Sequence, residues 1–313
     1  MNTRIKSMSK TDLIVILGVT ATGKTKLATH LAEKINGEVI SADSRQVYKG
    51  MDIGTGKDLN DFVVNNKQIP YHLIDIKNAG EEYNVFEFQK DFLDAYKTIT
   101  DKYKQAILCG GTGLYLEAVL KGYRMLAIPE NIELRKGLET KSNQELVELL
   151  KKLKQLHNKT DIENHERLIK AIEIATYQKE NQHIINDFPK FNYQLFGIHF
   201  ERFIIKERIT TRLKHRLENE DMIGEVKMLL KNGVHPEKLK FYGLEYKLVT
   251  AYLLNEITKN ELFTKLNIAI HQFSKRQATW YRKMEKNGFN INWINGNLSI
   301  EEKVNEVIKS LGV

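Results

Sequence analysis

Eight residues near the start of the chain constrain its fold more than any other stretch. They read Gly18-Val19-Thr20-Ala21-Thr22-Gly23-Lys24-Thr25 and match the phosphate-loop pattern G-x-x-x-x-G-K-[ST]. The apolar run Leu13–Leu17 precedes them and has the length and composition of a buried parallel strand. Apolar residues then recur at helical spacing, which predicts a helix that begins at Lys24. A chance match is the alternative, but these flanks favour a loop that binds a diphosphate or a polyphosphate.

The loop carries a complete set of phosphate-binding groups. Gly18 and Gly23 allow the backbone to fold close to an anion, so that N–H groups and the helix N-terminus point at phosphate oxygens. Lys24 is expected to neutralise the outer phosphates, and the Thr25 hydroxyl is expected to sit on Mg²⁺. Such loops are typical of ATP-binding proteins, but the loop alone does not distinguish ATP from another diphosphate.

Strands and helices alternate after the loop, which is the signature of a parallel sheet with helices on both faces. The pattern predicts an α/β fold of the P-loop NTPase-like kind, with Leu13–Leu17 as its first strand. A second strand is expected over 38–42, ending at Asp43, and Gln105–Cys109 is expected to be another buried strand. Further strands are expected at 71–76, 193–200 and 289–294.

Between Pro129 and Glu180 the pattern becomes nearly all helical, with Ser142 and Asp161 at helix starts. The other helices are expected at 84–100, 114–120, 202–218, 221–231, 244–254, 259–286 and 299–311. The sequence therefore predicts a core of 1–122 and 193–313, interrupted by a helical insertion domain of 123–192.

The composition excludes several kinds of protein. No segment approaches 18 uninterrupted apolar residues, so no membrane span is expected. The basic residues 1–10 and Leu13–Leu17 could mimic a signal peptide, but the apolar run is too short and leads into the phosphate loop. Cys109 is the single cysteine, which excludes an internal disulfide and fits a reducing cytoplasm. The nine histidines show no paired spacing, so no structural zinc is expected.

The formal net charge of +8 is unevenly distributed. Residues 1–123 carry 16 basic and 15 acidic side chains, whereas residues 124–313 carry 32 and 25. A polyanionic partner would therefore meet the second part of the chain, although a lysine-rich solubilising surface explains the same counts.

Polar residues stand where three of the expected strands end, which is where open parallel sheets place their sites. These are the phosphate loop, the run Asp43-Ser44-Arg45-Gln46 and the run Gly110-Gly111-Thr112. The strand before Asp43 is expected to neighbour the strand before the loop. Its carboxylate would then act as a general base or hold a Mg²⁺-bound water. A helix N-cap is the alternative role for this aspartate.

The strand Ala106–Cys109 ends in Gly-Gly-Thr, where a P-loop ATPase usually has an acid that holds Mg²⁺. This absence argues against a motor-type ATPase. It favours a small-group transferase in which Asp43 serves the acceptor and Thr112 supplies a hydroxyl.

Two basic segments stand out in the second part of the chain. In the first, Arg208, Arg212 and Arg216 recur every four residues and so share one helix face, from which an arginine can reach the leaving phosphates. A solvated charged face is the alternative. The second segment, 273–283, interleaves cations with aromatics, which suits phosphate contacts and base stacking. Trp280 within it is equally compatible with a core position.

Taken together, these motifs resemble the tRNA dimethylallyltransferases (the IPP transferase family) of the bacterial type, which prenylate the N6 amine of an adenine next to the anticodon. The resemblance spans about 18–282, and the motifs occur in the same order as in the family. The matching stretches are Gly18–Thr25, Ser41–Lys57, His72–Asp75, Gly110–Tyr115, Asn164–Glu173, Arg208–Arg212 and Lys275–Trp280. The run from Asp43 to Lys57 is specific in a way that a lone phosphate loop is not.

The resemblance implies that the loop holds the diphosphate of dimethylallyl diphosphate, with Mg²⁺ as the cofactor. Asp43 would take the proton from the adenine N6, while Thr112, Arg212 and Lys24 would bind the diphosphate or stabilise its departure. The insertion domain would contact the anticodon stem–loop, and the protein would be a cytoplasmic monomer. The residues implied in tRNA binding are Asp43, Ser44, Arg45, Gln46, Thr112, Arg167, Lys170, Lys275, Arg276, Gln277 and Trp280.

The chain departs from the family pattern in several places. Val19 stands where proline is usual, at a loop position that points away from phosphate. Lys170 stands where arginine is commoner, which keeps the cation but weakens bidentate phosphate recognition. The run from Tyr242 to Lys247 replaces an Ile-Gly-Tyr-Lys-Glu-like run, so the contacts made there are open. These 313 residues contain no match to the carboxy-terminal zinc finger of some eukaryotic members, which favours the bacterial type.

Three other functions remain open from the residues. An isopentenyltransferase acting on free adenine nucleotides would need neither the basic segments nor the helical insertion. A P-loop small-molecule kinase would use the same loop, with Asp43 as base on an acceptor hydroxyl. A non-catalytic nucleotide-dependent RNA-binding protein would not need Asp43 at the end of its strand.

Overall fold

The computed structural model describes residues 11–123, 125–126, 128–153, 164–181 and 188–312. It confirms the predicted α/β fold with a parallel sheet. The strands are β1 (Leu13–Leu17), β2 (Gly37–Ser41), β3 (Val63–Val64), β4 (Lys67–Gln68), β5 (Tyr71–His72), β6 (Gln105–Gly110), β7 (Tyr193–His199) and β8 (Ile291–Asn295). Six of them form one sheet of order β5-β2-β6-β1-β7-β8, in which every pairing is parallel, while β3 and β4 form a small antiparallel hairpin.

Helices flank this sheet and also form a separate cluster. They are α1 (Lys24–Ile35), α2 (Val85–Thr100), α3 (Gly113–Leu120), α4 (Ile132–Glu139), α5 (Asn143–Leu153), α6 (His165–Glu180), α7 (Arg202–Glu218), α8 (Met222–Lys231), α9 (Pro236–Phe241), α10 (Leu244–Leu253), α11 (Lys259–Lys286) and α12 (Ile300–Leu311). A 3₁₀ turn spans Leu59–Phe62. None of the helices within the described ranges is long and apolar enough to cross a membrane.

The chain divides into two compact units, one of Met1–Lys121 with Lys190–Val313 and one of Gly122–Pro189. The expected boundaries, 122/123 and 192/193, lie one and three residues from these. In the first unit, β1 is completely buried between β6 and β7, and α1 covers the sheet with an apolar face. In the second unit, α5 and α6 pack through leucines and isoleucines that include Leu146, Leu150 and Leu168.

A buried carboxylate also holds the second unit together. Glu173 of α6 accepts hydrogen bonds from the Asn131 N–H, from the Arg135 guanidinium and from Lys170. Burial alone would raise the pKa of Glu173, but these hydrogen bonds outweigh it and lower the pKa to about 2. The carboxylate therefore stays ionised and joins α4 to α6.

Two expectations about the sheet were wrong. β2 does not neighbour β1, because β6 lies between them. The strand expected over 71–76 ends at His72, since Leu73 and Asp75 adopt positive φ angles of 62° and 57° that no strand continues. α9 was missed, while Asp161, expected to open a helix, lies outside the described residues; α6 begins after the cap Asn164.

Candidate active site

Backbone conformation shapes the phosphate loop. After β1 the chain turns through two residues with positive φ, Ala21 at 66° and Gly23 at 80°. The Thr22 hydroxyl donates to the Val19 carbonyl oxygen at 2.8 Å and closes the turn. α1 begins directly afterwards at Lys24, so its first N–H groups have no partner in a preceding turn of helix. These N–H groups are available to bind an anion.

α11 braces the loop from the far end of the sequence. The Gln277 side chain accepts a hydrogen bond from the Thr20 N–H at 2.8 Å and donates to the Gly111 carbonyl oxygen at 3.0 Å. The Tyr281 hydroxyl donates to the Gly18 carbonyl oxygen at 3.0 Å. One helix face thus joins the loop after β1 to the glycines after β6.

α7 brings arginines to the same loop. Arg208 donates from Nε to the Ala21 carbonyl oxygen at 2.8 Å, and Arg212 donates from Nη2 to the Thr20 hydroxyl at 2.5 Å. Burial, and then the charge of Arg216, lowers the pKa of Arg212 to about 10. A bound anion would offset both effects, so this position is suited to a diphosphate.

Arg216 lies one helical turn further along α7. It is only 5% exposed, and its guanidinium donates to the Asp58 carboxylate at 2.9 Å. A Cβ atom added at Gly56 would lie 2.8 Å from this guanidinium, so the arginine packs directly on the backbone there. The alternative of a solvated face is therefore wrong for Arg212 and Arg216, whereas Arg208 is exposed.

Asp43 and Thr112 follow the neighbouring strands β2 and β6. The Ser44 N–H donates to the Thr112 hydroxyl oxygen at 3.3 Å, which fixes the two strand ends together. A Cβ atom added at Gly110 would lie 2.2 Å from the Ala42 carbonyl oxygen, so only glycine permits this approach. Because β6 lies between β2 and β1, the close approach at Gly110 is what allows Asp43, after β2, to reach the site.

The Asp43 carboxylate has a free oxygen. Its Oδ1 accepts a hydrogen bond from the Arg45 N–H at 2.9 Å, while within the described ranges Oδ2 has no hydrogen-bond partner. A turn follows Asp43 and no helix begins there, so the alternative role as a helix N-cap is wrong. Oδ2 is available to accept a proton or a hydrogen bond from a ligand.

Buried charges hold the segment after Asp43 in place. The Lys57 ammonium is completely buried and donates to the Tyr48 carbonyl oxygen at 2.7 Å, to Asp52 at 2.6 Å and to Asp75 at 2.5 Å. Gln46 donates to the Gly56 carbonyl oxygen at 3.0 Å. Lys57 and Gln46 thus bond to other residues of the run from Asp43 to Lys57. These contacts explain why a specific sequence is needed over this run.

These elements enclose a pocket of about 490 Å³ within the first unit. Its wall combines the phosphate loop, the ends of β2 and β6, the arginines of α7, the start of α10 and one face of α11. The residues that concern its chemistry are Lys24, Thr25, Asp43, Thr112, Arg212, Arg216, Glu245, Arg276, Gln277 and Trp280. The structure thus brings Asp43, Thr112, Arg212 and Lys24 together in one pocket.

Burial controls the charges inside the pocket. It lowers the pKa of the Lys24 ammonium, which the nearby Asp43 carboxylate partly offsets. It raises the pKa of Glu245, because a carboxylate loses hydration at this place. A ligand would stabilise both charged groups by replacing the hydration that they have lost. Lys24 would be stabilised by an anion and Glu245 by a hydrogen-bond donor.

The residues implied in tRNA binding separate into three places. Ser44, Arg45, Gln46, Arg276, Gln277 and Trp280 line the pocket together with Asp43 and Thr112. Lys275 instead lines a second, mainly apolar cavity of about 950 Å³ on another face of α11. Arg167 and Lys170 lie exposed on α6 in the second unit.

Two of these side chains have distinct environments. The Trp280 indole packs against Gly113, where an added Cβ would lie 2.3 Å from the ring. It is partly buried, and among the described residues its buried Nε1 has no hydrogen-bond partner. Trp280 is therefore a wall of the pocket, neither a core residue nor a fully exposed platform. Gln277, in contrast, uses both polar ends of its amide on the loop backbone.

Sequence reasoning assigned no role at the site to Glu245 or Tyr281, and it included Arg216 only as a member of the arginine stripe. Arg216 carried a signal, since it belongs to the stripe that includes Arg212. Glu245 lies in the run that departs from the family pattern. Nothing local distinguishes Tyr281 from an ordinary apolar position of a long helix.

Metal ligation at the loop rests on few protein groups. Among the described residues no group of three or more histidine, cysteine, aspartate or glutamate side chains is arranged to hold a metal ion. The Thr25 hydroxyl lines the pocket and, within those residues, has no hydrogen-bond partner. Mg²⁺ usually keeps several waters and is bound through one or two protein groups with substrate phosphates, so this site fits Mg²⁺ bound together with a diphosphate.

Two family models match this chain. The model described as Isopentenyl transferase matches residues 11–75, and the model described as IPP transferase matches residues 46–284, which is more than half of the chain. The chain belongs to the IPP transferase family. Pocket residues from Gln46 to Trp280 lie within the longer match.

Relatives of this IPP transferase family protein match it over nearly their whole length. "tRNA dimethylallyltransferase 2" of Phocaeicola vulgatus is 54% identical over 304 residues, covering 97% of this chain and 99% of that protein. "tRNA dimethylallyltransferase 1" of Parabacteroides distasonis is 50% identical with the same coverage. A crystal structure of a tRNA isopentenylpyrophosphate transferase from Bacillus halodurans has a TM-score of 0.68 and 31% identity, covering 97% of this chain and 96% of that one.

Proposed function

We propose that this protein transfers the dimethylallyl group of dimethylallyl diphosphate to N6 of the adenine on the 3′ side of the anticodon in tRNA, releasing diphosphate. The observation that carries the proposal is the shared pocket of the phosphate loop, Arg212 and the free carboxylate oxygen of Asp43. The names of the bacterial relatives supply the donor group and the acceptor class.

The phosphate loop is suited to the leaving group of this reaction. The diphosphate would lie against the first N–H groups of α1, with Lys24 and Arg212 as its cations. The Thr25 hydroxyl would hold Mg²⁺, which when bound neutralises further charge on the diphosphate. Stabilising the departing anion in this way lowers the barrier to breaking the carbon–oxygen bond.

Asp43 is placed to serve the attacking amine. The N6 lone pair would form a bond to the first prenyl carbon while the carbon–oxygen bond breaks and its electron pair leaves with the diphosphate. The proton lost from N6 would pass to Oδ2 of Asp43, the oxygen that no described residue occupies. The Thr112 hydroxyl accepts from the Ser44 N–H, so its own proton remains available to a diphosphate oxygen.

The acceptor must leave its stack to reach this pocket, because the reacting amine lies within the anticodon loop. Single-stranded loops are where proteins read RNA sequence, and Trp280 with Arg276 provides an aromatic face and a cation at the pocket wall. Arg167 and Lys170 on α6 would contact tRNA from the helical insertion.

The experiment offers the purified protein Mg²⁺ and dimethylallyl diphosphate with unmodified tRNA, and in parallel with AMP or ADP. Mass analysis of the nucleosides is expected to show prenylated tRNA and unchanged nucleotides. Prenylated nucleotide alone would contradict the tRNA assignment. Phosphate transfer from ATP to a small acceptor, with no prenyl transfer, would contradict the reaction itself.

A further inference from the structure

Glu245 is a carboxylate of the pocket that the mechanism above does not use. It is the second residue of α10, directly after the turn at Gly243, whose φ is 135°. The side chain turns back over this glycine, since a Cβ atom added there would lie 4.0 Å from Oε2 of Glu245. It is partly buried and lines the same wall as Arg212 and Arg216.

Glu245 differs from a structural carboxylate close by. Glu225 of α8 accepts hydrogen bonds from the Asp52 and Ile53 N–H groups at 2.7 Å each, from the Gly54 N–H at 3.1 Å and from the Tyr246 hydroxyl at 2.6 Å. Its oxygens are therefore saturated by the protein. Within the described part of the chain, Glu245 accepts only from its own backbone N–H, and no basic side chain lies within 4.0 Å of it.

A sheltered carboxylate with so few hydrogen-bond donors is costly because it gives up hydration, and the charges of Arg216 and Arg212 offset only a part of that loss. The position at the start of α10 offsets a part of this cost through the helix dipole. The burial that raises the pKa of Glu245 shows that the offset is incomplete. A ligand that donates a hydrogen bond to these oxygens would remove the remaining penalty.

We propose that Glu245 is a specificity-determining residue that accepts a hydrogen bond from an N–H or O–H group of the acceptor nucleoside. The inference rests on the proposed function. Charge assigns the contact to the acceptor, since a carboxylate repels the diphosphate. Adenosine offers two such donors, the N6 amine, whose other hydrogen would face Asp43, and the ribose 2′-hydroxyl.

The experiment is a double-mutant cycle on RNA binding. Wild type and Glu245→Ala are titrated with three anticodon stem–loops that carry adenosine, 2′-deoxyadenosine or purine riboside, which lacks the amine, at the target position. Glu245→Ala is expected to weaken binding of the adenosine RNA by roughly 10-fold to 100-fold, the range of a hydrogen bond to a charged group. For the RNA that lacks the group contacted by Glu245, this loss should largely disappear.

Two further variants serve as controls for this experiment. Glu301→Gln changes the second residue of α12, an exposed position of the same helical type, and should leave binding unchanged. Glu245→Gln keeps an acceptor oxygen and should restore a part of the affinity. If Glu245→Ala no longer weakens binding of the 2′-deoxyadenosine RNA, Glu245 contacts the ribose hydroxyl. If it no longer weakens binding of the purine riboside RNA, Glu245 contacts the N6 amine.

An equal penalty of Glu245→Ala on all three RNAs would overturn the inference. So would an effect confined to the KM of dimethylallyl diphosphate, which would place Glu245 on the side of the leaving group. A failure of the proposed function would appear in the wild-type protein, as no prenyl transfer to tRNA and no RNA binding, and would overturn both proposals. If the wild type does prenylate tRNA, the results above test the role of Glu245 alone.

Discussion

The Tyr281 hydroxyl donates a hydrogen bond to the carbonyl oxygen of Gly18 at 3.0 Å, although 263 residues separate the two in the chain. The tyrosine is buried on α11, and the glycine opens the phosphate loop. Burial raises the pKa of Tyr281 far above its usual range, so the hydroxyl keeps its proton and remains a donor. The last third of the chain therefore sets the shape of a loop near its beginning.

Tyr281→Phe is expected to destabilise the protein by about 1–3 kcal/mol, because a buried carbonyl oxygen loses its donor. Affinity for dimethylallyl diphosphate should fall with it. Calorimetric titration with the diphosphate and thermal unfolding measure the two effects. Unchanged diphosphate affinity would mean that the loop holds its shape without the Tyr281 hydrogen bond.

Gly110→Ala is expected to cost about 1–3 kcal/mol of stability, because its Cβ would overlap the Ala42 carbonyl oxygen at 2.2 Å and push β2 away from β6. Prenyl transfer should fall as well, since Asp43 moves with β2. Gly137→Ala is the matched control: it lies in α4 with nothing near its added Cβ, and should be neutral or stabilising. Chemical denaturation checks both variants; equal effects would argue against a required close approach.

Arg276→Gln is expected to flatten the salt dependence of RNA binding. Removing one protein–phosphate ion pair in a single-stranded region reduces the slope of log K against log salt by about 0.7. Lys309→Gln, which neutralises an exposed lysine of α12, controls for the change in net charge and should leave the slope unchanged. A slope that stays constant in Arg276→Gln would place the RNA backbone elsewhere.

Glu245→Gln is expected to stabilise the protein in the absence of substrates at neutral pH. Because the pKa of Glu245 is raised above its ordinary value of 4.5 in the folded state, folding opposes its ionisation, and stability falls as pH rises through that pKa. The gain from Gln should therefore shrink as the pH is lowered toward 4.5. Melting temperatures at pH 7 and pH 5 measure this, with Glu301→Gln as the control; a loss of stability in Glu245→Gln at neutral pH would contradict it.

The sequence predicted the parts of the site that depend on short stretches. A strand, a Gly-rich turn and a helix suffice to place Lys24 and Thr25, and polar residues after strands suffice to place Asp43 and Thr112 near them. Strand order is not a local property, so the insertion of β6 between β1 and β2 was missed. The approach of Asp43 depends on Gly110, a residue in a different strand.

The basic segment of α11 shows a second limit. Neighbouring residues of a helix point about 100° apart, and here this separation places Lys275 in the apolar cavity and Arg276 in the Asp43 pocket. A run of residues read as one surface is in fact shared between two cavities. Glu245 illustrates a third limit, because its missing partners become visible only when every neighbouring donor has been placed.

The central claim is that the Asp43 pocket performs prenyl transfer. It is tested most directly by the single-turnover rate of Asp43→Asn, with tRNA and dimethylallyl diphosphate both saturating and RNA affinity measured alongside. The rate is expected to fall by about 10²-fold to 10⁴-fold, the range for loss of a general base, while tRNA affinity changes little. Transfer at a near wild-type rate would contradict the assignment of Asp43 as the base and the mechanism built on it.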